Sequence, residues 1–264
     1  MLGYAYGFTP DAIYMVTFLL VSAIFIVLMI TVEGLLVLME IPGYLIPLPS
    51  DVLSLLLERG DFFLFNTGVT AIEALLGFII GNIAAYAFAV MLVQYPKTEQ
   101  VGISFAVALK ATPIIAMAPL FVIWFGNGVE GKVVMASLVC FFPMLVNAVT
   151  GLRDVEPDLV DYLKSLACTR AQILRHARIP ASLPYVFAAA KTSSTISVVG
   201  AIVAEMSGSD DGIGHILQVS VYQMETDVMF AGIFCVAVFG IGFYFVINLI
   251  ENVVIRQYKF TYAV

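Results

Sequence analysis

Residues 151–184 read GLRDVEPDLVDYLKSLACTRAQILRHARIPASLP, and they form the one long polar interruption in an otherwise apolar chain. Of the 12 lysines and arginines in the sequence, five lie in this stretch: Arg153, Lys164, Arg170, Arg175 and Arg178. Apolar segments precede and follow it. The stretch therefore predicts a charged loop between two membrane-spanning helices, and we refer to residues 151–182 as the polar loop.

The polar loop predicts its own first helix. Pro157 fits the first position of a helix, and Glu156 and Asp158 suit the positive end of the helix dipole. Apolar side chains then recur at i, i+3, i+4 and i+7, which places on one face Leu159, Tyr162, Leu163 and Leu166. This spacing predicts a short amphipathic helix.

A second helix is predicted after a turn. Thr169 and Gln172 have the spacing of a capping box, which satisfies backbone amides at the start of a helix. We expect this helix to end at Pro180, because proline disfavours helical geometry in the residue before it. The polar loop therefore predicts the order helix, turn, helix.

The composition indicates that the rest of the chain lies in a membrane. Hydrophobic residues make up 61% of the 264 residues, charged residues make up 12%, and the mean hydropathy is +1.02. In soluble domains the charged residues alone account for about 25%. So little polar sequence excludes a separate soluble domain, and we predict an all-α polytopic protein with a single transmembrane domain over residues 1–264.

A spanning helix needs about 20 mostly apolar residues. Six stretches fit this requirement: residues 13–39, 69–93, 101–125, 133–149, 183–205 and 229–255. The positive-inside rule orients them, since nine lysines and arginines fall on the side of the polar loop and only Arg59 and Lys132 on the other. We therefore expect the polar loop and both chain termini in the cytoplasm, opposite an acidic outer face.

Polar residues inside the spans are candidates for a translocation path, because they are costly to place in lipid. The candidates are Lys110, Asn147, Ser193, Ser197 and Glu205. Other roles stay open: the two charged residues could reach the membrane surface, and the asparagine could bond a neighbouring helix. For the serines we favour helix packing, because they share a stripe of small residues with Gly200. For Glu73 we expect either extension to the membrane surface or pairing at the outer end of its span, in preference to a contact with the solute.

Three glycines after the fifth span, Gly208, Gly212 and Gly214, superficially resemble a phosphate-binding loop. No strand precedes them and no lysine follows, so we interpret them as an external turn that could dock a partner protein. His176 and His215 are isolated, and no metal site is predicted. The sequence has no P-loop, so we do not expect this chain to hydrolyse ATP. A membrane-embedded enzyme and a passive channel are the alternatives from other functional classes.

The polar loop resembles the EAA loop of permease subunits of bacterial ABC importers. Asp161 stands at the glutamate of that motif, Ala167 at its glycine and Ile179-Pro180 at its terminal Leu-Pro. The sequence departs from the motif at Tyr162, Leu163 and Ala177. Four more stretches are similar, in the same order, to the branch of permeases for nitrate, sulfonates, taurine and precursors of thiamine or riboflavin: residues 48–56, 110–128, 141–159 and 200–217.

This resemblance implies a type I ABC importer permease in the bacterial inner membrane, with six transmembrane helices and a cytoplasmic coupling helix. The implied partners are a second copy of the chain, two ATPase subunits that hold ATP and Mg²⁺, an external or periplasmic substrate-binding protein, and membrane lipid. Neither a nucleic acid nor a cofactor bound to this chain is implied. The residues expected to contact the ATPase are Asp161, Lys164, Ser165, Ala167, Cys168, Thr169 and Arg170. Their alternative role is a solvated helix face beside anionic lipid.

The resemblance also implies a small polar solute. Residues 204–214, AEMSGSDDGIG, are more similar to permeases for pyrimidine and flavin precursors, with nitrate, sulfonate, taurine or bicarbonate as alternatives. At Ala167 a methyl group replaces the glycine of the motif, at a position where we expect a close backbone approach.

Overall fold

The computed structural model describes residues 10–95 and 113–262 of the chain. All regular secondary structure in these two ranges is helical, which agrees with the predicted all-α class. A short 3₁₀ turn, Ile114–Met117, precedes the fourth helix. The helices are α1 Pro10–Leu38, α2 Pro49–Glu58, α3 Gly60–Gln94, α4 Ala118–Phe125, α5 Val129–Arg153, α6 Pro157–Ser165, α7 Arg170–Gly208, α8 Ile213–Gln223 and α9 Thr226–Tyr262.

Within the described ranges, four helices are long and apolar enough to cross a membrane: Gly60–Gln94, Val129–Arg153, Arg170–Gly208 and Thr226–Arg256. They contain four of the predicted spans, 69–93, 133–149, 183–205 and 229–255. Helix α1 covers most of the predicted span 13–39, and its described apolar stretch is Ile26–Leu38. Residues 101–112 of the predicted span 101–125 lie outside the described residues, and residues 114–125 form the 3₁₀ turn and α4. The count of six spans therefore stays a prediction.

The predicted helix end at Pro180 is wrong, because α7 runs without a break from Arg170 to Gly208. A wider π turn occupies Leu174–Arg178, where the Ile179 amide donates to the carbonyl of Leu174. Proline cannot donate to the preceding turn, and helices accommodate this loss by local adjustments of such a kind. The second helix of the polar loop and the following membrane span consequently form one continuous helix.

The chain divides into two compact units. The smaller unit comprises Met1–Gly60 and Ser220–Ala231, and in it the Thr226 hydroxyl donates to the carbonyl of Gly43 at 2.8 Å. The larger unit comprises Asp61–Val219 and Gly232–Val264. It holds the main apolar core and the residues of both polar sites described below.

The larger unit depends on a close approach of α3, α5 and α7. Ala136 of α5 has no exposed surface and lies between glycines of both neighbours. A Cβ added at Gly77 of α3 would collide with the Ala136 methyl group, and one added at Gly81 would collide with the Ser137 backbone. On the other side, a Cβ added at Gly200 of α7 would lie 3.0 Å from Ala136 Cα. Small residues are what lets membrane helices approach this closely.

Substituting the contact glycine Gly81→Ala should lower the free energy of unfolding by about 1–3 kcal/mol, because the new methyl group must displace the backbone of α5. Gly68→Ala in the same helix is the matched control, since nothing lies within 4 Å of its added Cβ. The control should be neutral or stabilising by up to about 1 kcal/mol, as alanine favours helix. Denaturant unfolding of the purified protein in detergent measures both, and equal effects would contradict the close approach.

Candidate functional site

Helix α6 of the polar loop buries none of its residues. Its predicted apolar stripe is present, and three of the side chains are largely exposed: Leu159 by 45%, Tyr162 by 60% and Leu166 by 58%. An amphipathic helix normally packs its apolar face against another element. Helix α6 therefore presents an apolar surface that the described residues of this chain leave exposed.

The polar side of α6 carries a solvent-exposed ion pair. Lys164 Nζ donates to Asp161 Oδ1 at 2.8 Å, and the two side chains are 62% and 72% exposed. Such exposed pairs contribute little to stability, commonly below about 1 kcal/mol. The charges of Asp161 and Lys164 are thus available to a partner at small cost to the fold.

The turn after α6 explains the glycine of the motif. The Ala167 amide donates to the carbonyl of Lys164 and the Cys168 amide to that of Leu163, which is the Schellman arrangement at a helix end. This arrangement requires a left-handed residue, and Ala167 has a φ of 59°. Ala167 is exposed. The left-handed backbone at Ala167 therefore favours glycine at this position of the motif, and the close backbone approach that we expected there stays a prediction.

The predicted capping box at the start of α7 is present. The Thr169 amide donates to Gln172 Oε1 at 2.7 Å, and the Gln172 amide donates to Thr169 Oγ1 at 3.3 Å. Helix, turn and helix follow one another as the sequence indicated. All the residues expected to contact an ATPase lie on this short stretch, exposed except for the half-buried Cys168.

Tight contacts join the two ends of the polar loop. A Cβ added at Gly151 of α5 would lie 2.8 Å from Tyr185 Cβ and 2.9 Å from Ser182 Cα of α7. The Tyr185 hydroxyl donates to Asp154 Oδ2 at 2.6 Å, and Ser182 Oγ lies 3.1 Å from the Tyr86 hydroxyl of α3. The base of the loop is thereby held against the membrane helices.

A second polar site lies at the opposite end of α7, around Glu205. This side chain has no exposed surface. Its carboxylate accepts hydrogen bonds from the Thr70 hydroxyl at 2.7 Å and from the Gly214 amide at 2.6 Å. A buried carboxylate needs such donors, because its loss of hydration is otherwise uncompensated. Glu205 therefore does not reach the membrane surface, and it connects α7 to α3 and to the start of α8.

Two side chains of α3 also hold the turn between α7 and α8 by hydrogen bonds. Asn66 Oδ1 accepts from the Gly212 amide at 2.9 Å, and Thr70 Oγ1 accepts from the Ile213 amide at 2.9 Å. Gly212 has a φ of +100°, and an added Cβ would collide with the Glu205 carboxylate. An added Cβ at Gly214 would collide with the backbone. The turn predicted from these glycines exists, and it is tied to the buried core.

Lys132 extends this polar network to α5. Its Nζ lies 3.1 Å from Glu73 Oε1 and donates to Ser209 Oγ at 2.6 Å. The Lys132 and Glu73 side chains are only 9% and 1% exposed. The expected pairing of Glu73 is thus found with a residue that the sequence placed in an outer loop. The buried network consists of Asn66, Thr70, Glu73, Lys132, Glu205, Ser209 and the amides of residues 212–214.

Sequence reasoning missed three of these residues for an identifiable reason. Asn66 and Thr70 lie at or before the predicted start of the second span, and Lys132 precedes the fourth. A hydropathy criterion ends a span at its first polar residues, whereas α3 and α5 begin several residues earlier. The spacing of Asn66, Thr70 and Glu73 at i, i+4 and i+7 was the available signal, since it places them on one helix face.

The proposed path residues occupy different surroundings. Ser193 and Ser197 are fully buried, and Cys140 Sγ of α5 lies 3.4 Å from the Ser193 carbonyl. Asn147 is half-buried and donates within its own helix, to the carbonyl of Pro143 at 2.8 Å. Lys110 lies outside the described residues. By contrast, Thr192 and Thr195 on the other face of α7 are exposed. The path assignment of the five predicted residues stays a prediction.

Residues 77–256 match the family of binding-protein-dependent transport system inner membrane components. The chain belongs to this family. A probable ABC transporter permease protein of Haemophilus influenzae is 30% identical over 78% of this chain and 84% of its own length. The formylaminopyrimidine transport permease protein ThiX of Halalkalibacterium halodurans is 26% identical over 82% of this chain and 87% of its own length. The predicted resemblance to ABC importer permeases is thereby confirmed.

The fold agrees with this membership. A chain of the MetNI methionine ABC transporter, in an inward-facing conformation, superposes with a TM-score of 0.64 at 16% identity, over 76% of this chain and 98% of its own. The predicted importer permease fold is therefore confirmed at the level of the architecture, and this chain is a multi-pass membrane protein of the permease class.

Thr70→Val should lower the free energy of unfolding by about 1.5–3 kcal/mol, because the buried Glu205 loses a hydrogen bond to its carboxylate. Thr150→Val is the matched control, since the Thr150 hydroxyl is exposed and bonds only a carbonyl of its own helix. The control should change stability by less than about 0.5 kcal/mol. Unfolding in detergent tests this, and an unchanged midpoint for Thr70→Val would refute the structural role of the network.

Ala167→Gly should stabilise the turn by about 1 kcal/mol, because glycine removes the penalty of a left-handed alanine. Hydrogen–deuterium exchange of residues 163–172 should therefore slow. Ala171→Gly, four residues later in α7, is the control with the opposite sign, since glycine weakens a helix by up to about 1 kcal/mol. Faster exchange in the Ala167→Gly variant would contradict the assigned backbone conformation.

Proposed function

We propose that this permease works as a pair of identical subunits, driven by two cytoplasmic ATPase subunits and supplied by an external substrate-binding protein. The observation that carries the proposal is the uncovered apolar stripe of α6, in a chain that belongs to the inner membrane components of binding-protein-dependent transport. Burial of Leu159, Tyr162 and Leu166 would favour association with a partner. ATP and Mg²⁺ would be bound by the ATPase and not by this chain.

In this proposal, α6 is the coupling helix. Its exposed ion pair and the exposed residues of the following turn meet the ATPase, and these are the predicted contacts Asp161, Lys164, Ser165, Ala167, Cys168, Thr169 and Arg170. Tight contacts at the loop base pass a displacement of α6 to α5 and α7. Because α7 is one helix of 39 residues, it can carry this displacement roughly 58 Å, to the buried network.

The positive residues around the polar loop support placing the loop and both termini in the cytoplasm. The buried network and the turn at Gly212 then lie toward the outer face. In this orientation the turn is a candidate surface for the binding protein, because hydrogen bonds from α3 hold it in one conformation. A partner that docks there would meet the outer ends of α3 and α7 together.

The solute is proposed to be small and polar, and a pyrimidine or flavin precursor is the first candidate. The formylaminopyrimidine permease matches most of this chain, whereas the taurine permease TauC of Escherichia coli matches 49% of it at 30% identity. Nitrate, sulfonate, taurine or bicarbonate are the alternatives. The candidate path residues stay Lys110, Asn147, Ser193, Ser197 and Glu205. The exposed hydroxyls of Thr192 and Thr195 extend this set to the outward face of α7.

Reversal of charge by Asp161→Lys should uncouple transport from ATP hydrolysis, because it replaces a proposed contact while leaving the membrane core untouched. Coupling free energies of about 1–3 kcal/mol correspond to roughly 5–150-fold, so we expect transport per ATP to fall by about tenfold. A bulky residue, Ala167→Phe, should act in the same direction. The assembled transporter in vesicles, supplied with its binding protein, provides both rates.

Glu58→Lys makes the same charge change on the exposed end of α2 and should leave coupling unchanged. Membrane insertion of all three variants should be normal. Normal transport by both loop variants would show that the polar loop is not the coupling element. Uptake that persists without the ATPase would favour a passive channel, and product formation by the purified chain alone would favour an enzyme.

A further inference from the structure

A cavity of about 220 Å³ lies beside the polar loop, where α3 ends against α6 and the first turns of α7. Its floor is apolar and includes Val93 of α3, together with Ile173 and Leu174 of α7. Val93 is 7% exposed and Ile173 is 6% exposed, so this floor is part of the packed protein. We refer to this space as the loop cavity.

Three basic side chains line the loop cavity: Lys164, Arg170 and Arg178. Among the residues that the structure describes, its lining contains no aspartate or glutamate. Asp161 balances Lys164 from the exposed face of α6. No ion pair joins Arg170 or Arg178 to a carboxylate within residues 10–95 and 113–262. The cavity therefore has a net positive wall that comes mainly from two arginines.

The loop cavity also lies next to the end of a membrane helix. Gln94, the last residue of the membrane helix α3, lines it together with Val93. The cavity therefore lies at the end of the predicted span 69–93, which is where lipid headgroups are expected. Basic pockets between membrane helices at this level are suited to anionic headgroups. Arginine also binds phosphate with paired, directional hydrogen bonds, which a point charge cannot provide.

We infer that the loop cavity binds an anionic phosphate group between Arg170 and Arg178. The group can belong to a phospholipid headgroup or to a soluble phosphate, since the recognising chemistry is the same. The apolar floor favours the lipid, because the glycerol and first methylene groups of a lipid would cover it, whereas inorganic phosphate would leave it bare. The site shares Lys164 and Arg170 with the proposed ATPase contacts, whereas Arg178 belongs to the loop cavity alone.

The chain contains a matched control for this site. Arg175 lies in the same π turn as Arg178 but is exposed and does not line the loop cavity. A general attraction between the polar loop and an anionic surface would involve both arginines equally. A specific phosphate site would involve only Arg178.

The test measures binding to the purified full-length chain in a neutral detergent, by native mass spectrometry. The probes are phosphatidylglycerol, phosphatidylcholine with the same acyl chains, and inorganic phosphate, whose effect is followed by thermal unfolding. We expect Arg178→Gln to weaken phosphatidylglycerol binding about fivefold, the effect of one basic residue near anionic lipid. Arg175→Gln should stay within about twofold of the wild type, and Arg178→Lys should fall between the wild type and Arg178→Gln, because lysine keeps the charge but not the paired hydrogen bonds.

The other outcomes discriminate as sharply. Stabilisation by inorganic phosphate that Arg178→Gln removes and Arg175→Gln retains would support the site and identify its source as soluble. The site would be overturned if Arg178→Gln and Arg175→Gln lost phosphatidylglycerol binding equally. It would also be overturned if the wild-type protein bound phosphatidylglycerol and phosphatidylcholine equally. A loss of ATPase affinity in Arg178→Gln without any change in lipid or phosphate binding would also overturn it. If Arg178→Gln does not fold, Gln94→Glu introduces a negative charge into the same cavity and should weaken phosphatidylglycerol binding comparably.

Discussion

The structure depends on the burial of one carboxylate, that of Glu205. A carboxylate without water needs hydrogen bonds and a nearby positive charge, and the chain supplies them from elements distant in sequence. Thr70 donates from α3 and the Gly214 amide from the start of α8, while Lys132 of α5 lies beside the neighbouring Glu73. Each of these contacts also joins two helices of the larger unit. One electrostatic requirement therefore sets the relative positions of α3, α5 and α7 at this end of the larger unit.

The two ends of α7 differ in how much of their polar chemistry is satisfied within the chain. At Glu205 each carboxylate oxygen accepts a hydrogen bond inside the protein, whereas α6 at the other end leaves both its apolar stripe and its ion pair exposed. Segments with few buried contacts open and move at low free-energy cost, while packed segments move as a body. In the proposed mechanism, the exposed helix α6 can be displaced by a partner at low free-energy cost. The packed end of α7 around Glu205 would then move as a rigid body.

Much of this arrangement could be predicted from local signals. Pro157 and the capping box of Thr169 and Gln172 act over a few residues, so their helix starts were confirmed. The continuation of α7 through Pro180 was not predictable, because it depends on a π turn that no local residue pattern specifies. The glycine position of the motif pointed to Ala167, but for another reason, since an alanine in sequence does not report a left-handed φ. The buried network was not predicted because most of its partners lie far apart in the sequence, as Thr70 and Glu205 do at a separation of 135 residues.

The hydroxyl-rich segment of α7 shows why such residues cannot be assigned to a path from composition alone. Its serines and threonines alternate between faces: Ser193 and Ser197 pack against α5, whereas Thr192 and Thr195 point away from the core. Both threonine hydroxyls donate to carbonyls of their own helix, which lowers the cost of facing an apolar surrounding. A solute could reach the serines only by separating α5 from α7, and that would expose the glycine and alanine contacts on which the larger unit depends. The threonine face can be exposed to a solute without any such separation, whereas a path that includes Ser193 and Ser197 would require α5 and α7 to separate during transport.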